Sequence, residues 1–203
     1  MAKGRFIVLE GIDGAGTTTQ ALRICNWFHS TREERAAVTQ EPSSGPVGAL
    51  LQQALRKRVH FDKRVMALLF AADRLDHLHA EIQGHLDQGI NVICDRYYLS
   101  SLAYQMVGVP EDLPWLKELN SKAVTPDLTI LIDVPANVAM DRIAKTRQSY
   151  DLYERLDFQE TVRDNYLMLA RQHGRSGERI EVVDGQGDED SVFRYIRGHV
   201  DAM

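Results

Sequence analysis

Short apolar runs alternate with segments of helical length along the whole chain, and this alternation limits the fold more than any other feature of the sequence. Arg5–Glu10, Ala36–Gln40, Asn91–Asp95, Leu128–Val134 and Arg179–Asp184 are strand-sized, and each lies within two residues of a Gly or a Pro. Between them Thr18–Phe28, Pro46–Lys57 and Asp62–Leu86 read as helices, and Asp188–Val200 closes the chain with Val192, Phe193, Ile196 and Val200 in helical register. Strands joined by helices of ten or more residues run parallel, with helices on both faces of the sheet. The fold class is therefore α/β, and 203 residues suit one domain over 1–203. In such sheets a ligand lies beyond the carboxyl ends of the strands, here the loops beginning at Glu10, Gln40, Asp95 and Val134. Two helix faces are expected to point at the core. One is Val47, Leu50, Leu51, Ala54 and Leu55, and the other Val65, Leu68, Ala72, Leu75, Ile82 and Leu86.

Charge and composition remove several functions. The balance of 24 basic against 29 acidic residues gives a net −5, which argues against a nucleic-acid coat or a membrane-surface protein. No apolar run is long enough to span a bilayer, and no signal peptide fits the amino terminus. Cys25 and Cys94 sit among apolar neighbours, form no C-x-x-C pair, and read as small buried hydrophobes of a reduced, cytoplasmic compartment. His77 and His79 are two apart, on different faces of a helix, and so make a poor metal pair.

The first strand ends in Gly11-Ile12-Asp13-Gly14-Ala15-Gly16-Thr17-Thr18. Its glycines, its final hydroxyl and its place between a strand and a helix match the phosphate-binding pattern G-x-x-x-x-G-K-[ST]. Glycines let the backbone wrap a phosphate with its N–H groups inward, and the helix start adds partial positive charge. Thr18 is the hydroxyl that holds Mg²⁺ in this pattern, and Asp95, at another strand tip, is its carboxylate partner. The Lys position, however, is Thr17. One charge pair at about 4 Å and an effective dielectric near 20 is worth on the order of 4 kcal/mol. Uncompensated, that loss approaches about a thousandfold in rate.

Further clusters follow. Phe70 and Arg74 are four apart on a helix, so they share a face, which lies away from the Val65–Leu75 stripe. A ring beside a guanidinium suits a nucleobase, and suits equally a boundary Phe beside a solvated Arg. Asp95-Arg96 at a strand tip is a metal and phosphate site or a local ion pair.

Taken together, Glu10–Gly16, Glu41-Pro42, Leu69–Arg74, Asp95-Arg96-Tyr97, Ser100–Gln105 and Pro126–Asp133 resemble the thymidylate kinases over nearly the whole chain. That resemblance implies a P-loop three-layer fold with a five-stranded parallel sheet, a mobile lid, ATP and Mg²⁺, and a homodimer. It implies phosphorylation of dTMP, with small-molecule nucleotides as ligands and neither nucleic acid nor membrane as partner. By the resemblance, Gly11, Ile12, Asp13, Gly14, Ala15, Gly16, Thr17, Thr18 and Arg142 bind ATP. Asp13 also accepts the sugar 3′-hydroxyl, Phe70 stacks on thymine, and Arg74 bonds its carbonyl. Arg96 holds the acceptor phosphate near the transferred group, Ser101 and Gln105 reach the base edge, and Tyr104 crowds the 2′ position. A lid is implied at 143–158, with Lys145, Arg147 and Arg155, of which Arg147 and Arg155 join Arg96 and Asp13 as catalytic groups. By composition the same stretch is a solvated surface loop.

Departures from the family pattern fall on the phosphates. Besides Thr17, Gln40 and Gln52 stand where relatives often carry Arg, and Gly14 stands where some carry one. Two alternatives remain at this level. One is a nucleotide-binding regulator without turnover, for which Thr17 argues and the acceptor pocket argues against. The other is a deoxynucleoside kinase, which Asp95-Arg96-Tyr97 fits poorly.

Overall fold

The computed structural model describes residues 3–107, 109–146, 152–153, 155–173 and 177–203. The five apolar runs form strands β1 (Phe6–Glu10), β2 (Ala36–Gln40), β3 (Asn91–Asp95), β4 (Leu128–Asp133) and β5 (Ile180–Asp184). They make one parallel sheet in the order β2-β3-β1-β4-β5. β1 and β3 are buried along their whole length, because helices cover both faces; the edge strands β2 and β5 are only partly buried. Leu9 lies opposite Asp95, Gln40 opposite Asp95 and Glu10 opposite Leu131, so the polar strand ends share one edge of the sheet. The chain leaves β1 toward one side and later fills the other side with β4 and β5. The crevice for a ligand opens where those directions part.

Nine helices surround the sheet among the described residues: α1 (Thr17–Trp27), α2 (Pro46–Leu55), α3 (Lys63–His77), α4 (Gln83–Asp87), α5 (Tyr98–Gln105), α6 (Leu113–Leu119), α7 (Ala136–Thr146), α8 (Leu156–His173) and α9 (Glu189–Asp201). None is long and apolar enough to cross a membrane among the described residues. A π-turn over Leu78–Ile82 joins α3 to α4, so the expected single helix over 62–86 is one helical rod with a wider turn inside it. Helices α5 to α8 lie in stretches for which the sequence analysis names no helix.

Both predicted helix faces need correction. On α3, Val65, Leu68 and Leu75 are 39%, 49% and 43% exposed, and Ala72 is exposed as well. The buried residues are Met66, Ala67, Ala71, Asp73, Arg74 and His77, so the polar face is the inner one. Those polar groups are buried because they satisfy one another and the loop after β2, as described below. Only from the end of the π-turn, which shifts the helix face by one residue, do Ile82 and Leu86 return to the core as expected. On α2, Leu51 and Ala54 are buried but Leu50 is 36% exposed, and Gly48 takes the inner position. A Cβ at Gly48 would stand 2.1 Å from the Ser43 carbonyl oxygen, so α2 packs there directly on the loop backbone.

Candidate active site

Three glycines shape the turn between β1 and α1. Gly14 and Gly16 have φ of 83° and 96°, in the left-handed region that other residues enter at a cost. A Cβ at Gly11 would lie 2.9 Å from that of Ala15. At Gly14 it would lie 2.4 Å from the Ala139 carbonyl oxygen, because α7 rests on the apex of the turn. No side chain caps the start of α1, so its first N–H groups face the cleft unpaired by a cap. Thr17 is buried, with its methyl carbon beneath Gly11. Thr18 donates its hydroxyl to Asp95 Oδ2, while Asp95 Oδ1 is buried with no hydrogen-bond partner among the described residues. An unpaired buried carboxylate oxygen beside a hydroxyl fits a divalent cation. No group of three or more His, Cys, Asp or Glu side chains gathers to hold a metal among the described residues. One hydroxyl and one carboxylate, completed by phosphate oxygens and water, is the donor set that Mg²⁺ prefers.

Arg96 follows β3 with φ 71°, a left-handed conformation for a residue with a Cβ. That strain is held in place from several sides. The Arg96 guanidinium donates 2.8 Å to the Gly11 carbonyl, 2.7 Å to Asp13 Oδ1 and 3.2 Å to the Tyr104 hydroxyl. It also lies 5.3 Å from the centre of the Tyr104 ring. The other Asp13 oxygen accepts 2.8 Å from Gln159, whose own carbonyl oxygen accepts from the Asp13 amide at 3.2 Å. Gln159 is fully buried on α8 and was not anticipated, since nothing in the sequence links it to a residue 146 positions away.

Beneath this pair lies Glu10, also unassigned from the sequence. It is fully buried, and its carboxyl accepts from the amides of Tyr97 and Ser100 at 2.9 and 3.2 Å. The Ser100 hydroxyl at 2.5 Å and the Tyr166 hydroxyl at 3.0 Å complete its shell. Glu10 thus caps the start of α5 from the adjacent strand and fixes the loop that carries Arg96. Burial pushes its carboxyl up to about 7, against the opposing pull of Ser100, Arg96, Tyr166 and the Tyr97 amide.

Two clefts meet at Asp13 and Arg96, which line both. The first is walled by Phe70, Arg74, Ser101, Tyr104 and Gln105, all expected, and by Glu41, Pro42, Leu55 and Tyr153. Arg74 is 1% exposed; it donates 2.6 Å to Glu41 and 3.1 Å to Ser101, bonds Asn120, and lies 5.2 Å from the Tyr97 ring centre. Its Nε is buried without a hydrogen-bond partner among the described residues. Glu41 in turn lies 3.4 Å from Nδ1 of His77, whose Nε2 is 2.6 Å from the Thr39 hydroxyl. Burial disfavours a charged His77, but Glu41, with Glu81 and Asp73, outweighs it and raises the His77 pKa. Asp73 accepts from the amide and hydroxyl of Ser43 at 2.8 and 2.6 Å. This network explains why the polar face of α3 is buried. Tyr153 stacks on Phe158 at 5.0 Å between ring centres and closes the cleft beside Tyr104. The second cleft runs along Gly14–Gln20 to Arg142, Lys145, Gly185 and the start of α9.

A family model for thymidylate kinase matches residues 9–196. The chain is 39% identical over 207 residues to the probable thymidylate kinase of Thermococcus gammatolerans, covering 98% of this chain and 96% of the relative. It is 36% identical to the thymidylate kinase of Carboxydothermus hydrogenoformans, covering 99% and 98%. It is 43% identical over 175 residues to the probable thymidylate kinase of Pyrococcus horikoshii, covering 83% of each. The chain belongs to the thymidylate kinase family.

Within that family fold, not every implied residue reaches a cleft. Arg155 is 73% exposed and pairs with Asp157 at 2.7 Å, outside both clefts, so the structure does not bring it to the phosphates. The Leu152 amide donates 3.0 Å to the Leu55 carbonyl. Arg147 lies outside the described residues. Arg142 lines the second cleft and donates 2.8 Å to the Gly185 carbonyl. Gln40 is exposed at the end of β2, and Gln52 lies 3.4 Å from the Ser43 carbonyl.

Proposed function

We propose that the protein transfers the γ-phosphoryl group of ATP to the phosphate of dTMP, giving ADP and dTDP. The observation that carries this reading is the meeting of a phosphate-loop cleft and an aromatic, arginine-lined cleft at one Asp13–Arg96 pair. Two nucleotides in those clefts present their phosphates to each other. An acceptor phosphate oxygen attacks the γ-phosphorus in line, the bond to the β,γ-bridging oxygen breaks, and its electron pair remains on ADP. The acceptor is already ionised, so no general base is assigned. Catalysis is then positioning and charge neutralisation, by the amides of the turn, Arg96 and the lid cations Arg147 and Lys145. Mg²⁺, held through Thr18 and Asp95, would neutralise and orient the β- and γ-phosphates.

In the acceptor cleft, Phe70 supports the thymine ring and Arg74, fixed by Glu41 and Asn120, reads its carbonyl. Asp13 takes the 3′-hydroxyl, Ser101 and Gln105 face the base edge, and Tyr104 leaves little room for a 2′-hydroxyl. Segment 143–158 serves as the lid. The exposed row Val65, Leu68, Ala72 and Leu75 supports a homodimer packed along α3. Free thiols at Cys25 and Cys94 agree with a cytoplasmic setting.

A coupled assay with Mg²⁺, ATP and dTMP tests the reading, and no ADP above background refutes turnover. Arg96→Ala should lower kcat at least a hundredfold with little change in ATP affinity, at about 2.7–4 kcal/mol for one lost transition-state donor. Phe70→Ala should raise the KM for dTMP. Thr17 is the observation that favours a binding protein without turnover, and tight dTMP binding by calorimetry with no ADP formed would establish that alternative.

A further inference from the structure

The Glu41 amide donates 3.0 Å to the Asp95 carbonyl, so the ladder between β2 and β3 runs one residue past Gln40. Strand alternation then puts Thr39 and Glu41 on one face, with the exposed Gln40 between them. On α3, Arg74 and His77 are three apart and share the buried face. The two elements meet at Glu41. Its Oε2 accepts 2.6 Å from Arg74, and its Oε1 lies 3.4 Å from Nδ1 of His77. Arg74 and Glu41 line the cleft assigned to the acceptor, and His77 stands behind them. A carboxylate in that wall repels a carbonyl oxygen brought against Arg74, and the charges of Glu41 and Arg74 cancel. A charged His77 leaves the three groups with one net positive charge.

We propose that His77 is a positioning residue for nucleobase recognition: as an imidazolium it shares the Glu41 carboxylate with Arg74, and so strengthens the hold of Arg74 on the pyrimidine carbonyl. The surroundings of the ring favour its charge. Burial opposes it, but Glu41, Glu81 and Asp73 outweigh burial and raise the pKa. Glu81, four residues on, lies 3.6 Å from Nε2 and is 36% exposed. Asp73 accepts from the amide and hydroxyl of Ser43. From β2 the Thr39 hydroxyl stands 2.6 Å from Nε2, and it rotates to accept from an imidazolium or to donate to a neutral ring. The ring therefore gives up its proton without losing that partner. From β3 and the loop after it, the Cys94 thiol and the Tyr97 hydroxyl are pushed up by burial and stay neutral. His79 is exposed, so the two histidines close in sequence are not a pair in the fold.

The proposal rests on the reading of this cleft as the dTMP site, and calorimetry separates the two. The Kd for dTMP is measured from pH 6 to pH 9 for the parent and for His77→Gln, which carries no charge, with thermal unfolding of each as a control. Dividing the variant by the parent removes the titration of the dTMP phosphate itself. The ratio should be at least threefold at pH 6 and fall toward one by pH 9. A parent that binds no dTMP refutes the reading of the cleft, and the proposal with it. A parent that binds, with a ratio that stays constant or grows with pH, overturns the proposal alone, because a merely structural role weakens binding equally at every pH. A second measurement needs no variant. By reciprocity, dTMP raises the proton affinity of His77 by the factor that the proton raises the affinity for dTMP. Saturating dTMP should move the midpoint of the His77 imidazole titration, followed by NMR in the parent, upward by about 0.5 pH unit or more, which corresponds to that threefold ratio. A midpoint that stays in place or moves down overturns the proposal.

Discussion

Glu10 places a carboxyl where water does not reach, between β1 and the start of α5, with four donors around it. Those donors favour its charge, but burial outweighs them and lifts its pKa from 4.5 to about 7. The folded protein therefore binds more protons than the unfolded chain between those values, and stability falls as pH rises through that window. The contribution is fully present below about 4.5 and lost above about 7, on the order of 3 kcal/mol. Glu10→Gln keeps one acceptor for the two amides and cannot ionise. Its unfolding temperature relative to the parent should rise from pH 5 to about pH 7 and level off above it, and a gap that stays constant with pH would show that Glu10 does not titrate there. At the same scale, Arg96 and Asp13 are held by contacts reaching back to β1 and across to α8. The strained backbone of Arg96 is thus supported by neighbours rather than by its own preference.

Elements act here as carriers of groups they did not evolve alone. α7 seats its Ala139 carbonyl on Gly14, and so couples the turn after β1 to α7. Gly14→Ala meets both an unfavourable φ and a backbone contact, whereas Gly16→Ala meets only the φ, with nothing within 4 Å. Gly14→Ala should therefore destabilise the protein by about 1–3 kcal/mol more than Gly16→Ala does, read from chemical denaturation. Equal effects would mean that α7 does not bear on the turn. α3 buries polar groups beside apolar ones. Its inner face joins Met66, Ala67 and Ala71 to the network of Asp73, Arg74 and His77 with Glu41, Ser43 and Thr39, and Val65, Leu68 and Leu75 are exposed. Truncating Glu41 leaves the Arg74 charge buried and unpaired, which costs about 3–5 kcal/mol and so ties Arg74 to folding.

At the scale of the molecule, an apolar row left exposed on α3 asks for a partner. Leu68→Glu should turn a dimeric parent into a monomer in sedimentation while leaving its unfolding cooperative; a parent already monomeric at micromolar concentration removes the dimer from the reading. What the sequence determined unaided is local: five strands from apolar runs bounded by Gly and Pro, and a glycine-rich turn between the first strand and the first helix. The resemblance to the thymidylate kinases, rather than the residue pattern alone, singled out Phe70, Arg74, Arg96, Ser101, Tyr104 and Gln105, and the structure gathers all six in one cleft. The tertiary structure alone decided which face of α3 is inside, because a polar residue counts as buried or solvated only once its partners on other elements are known. It alone added Gln159 to Asp13, Glu10 to the loop of Arg96 and Asn120 to Arg74, and turned Arg155 outward. Contacts between residues far apart in the chain follow from packing, and packing leaves no periodic mark on the sequence.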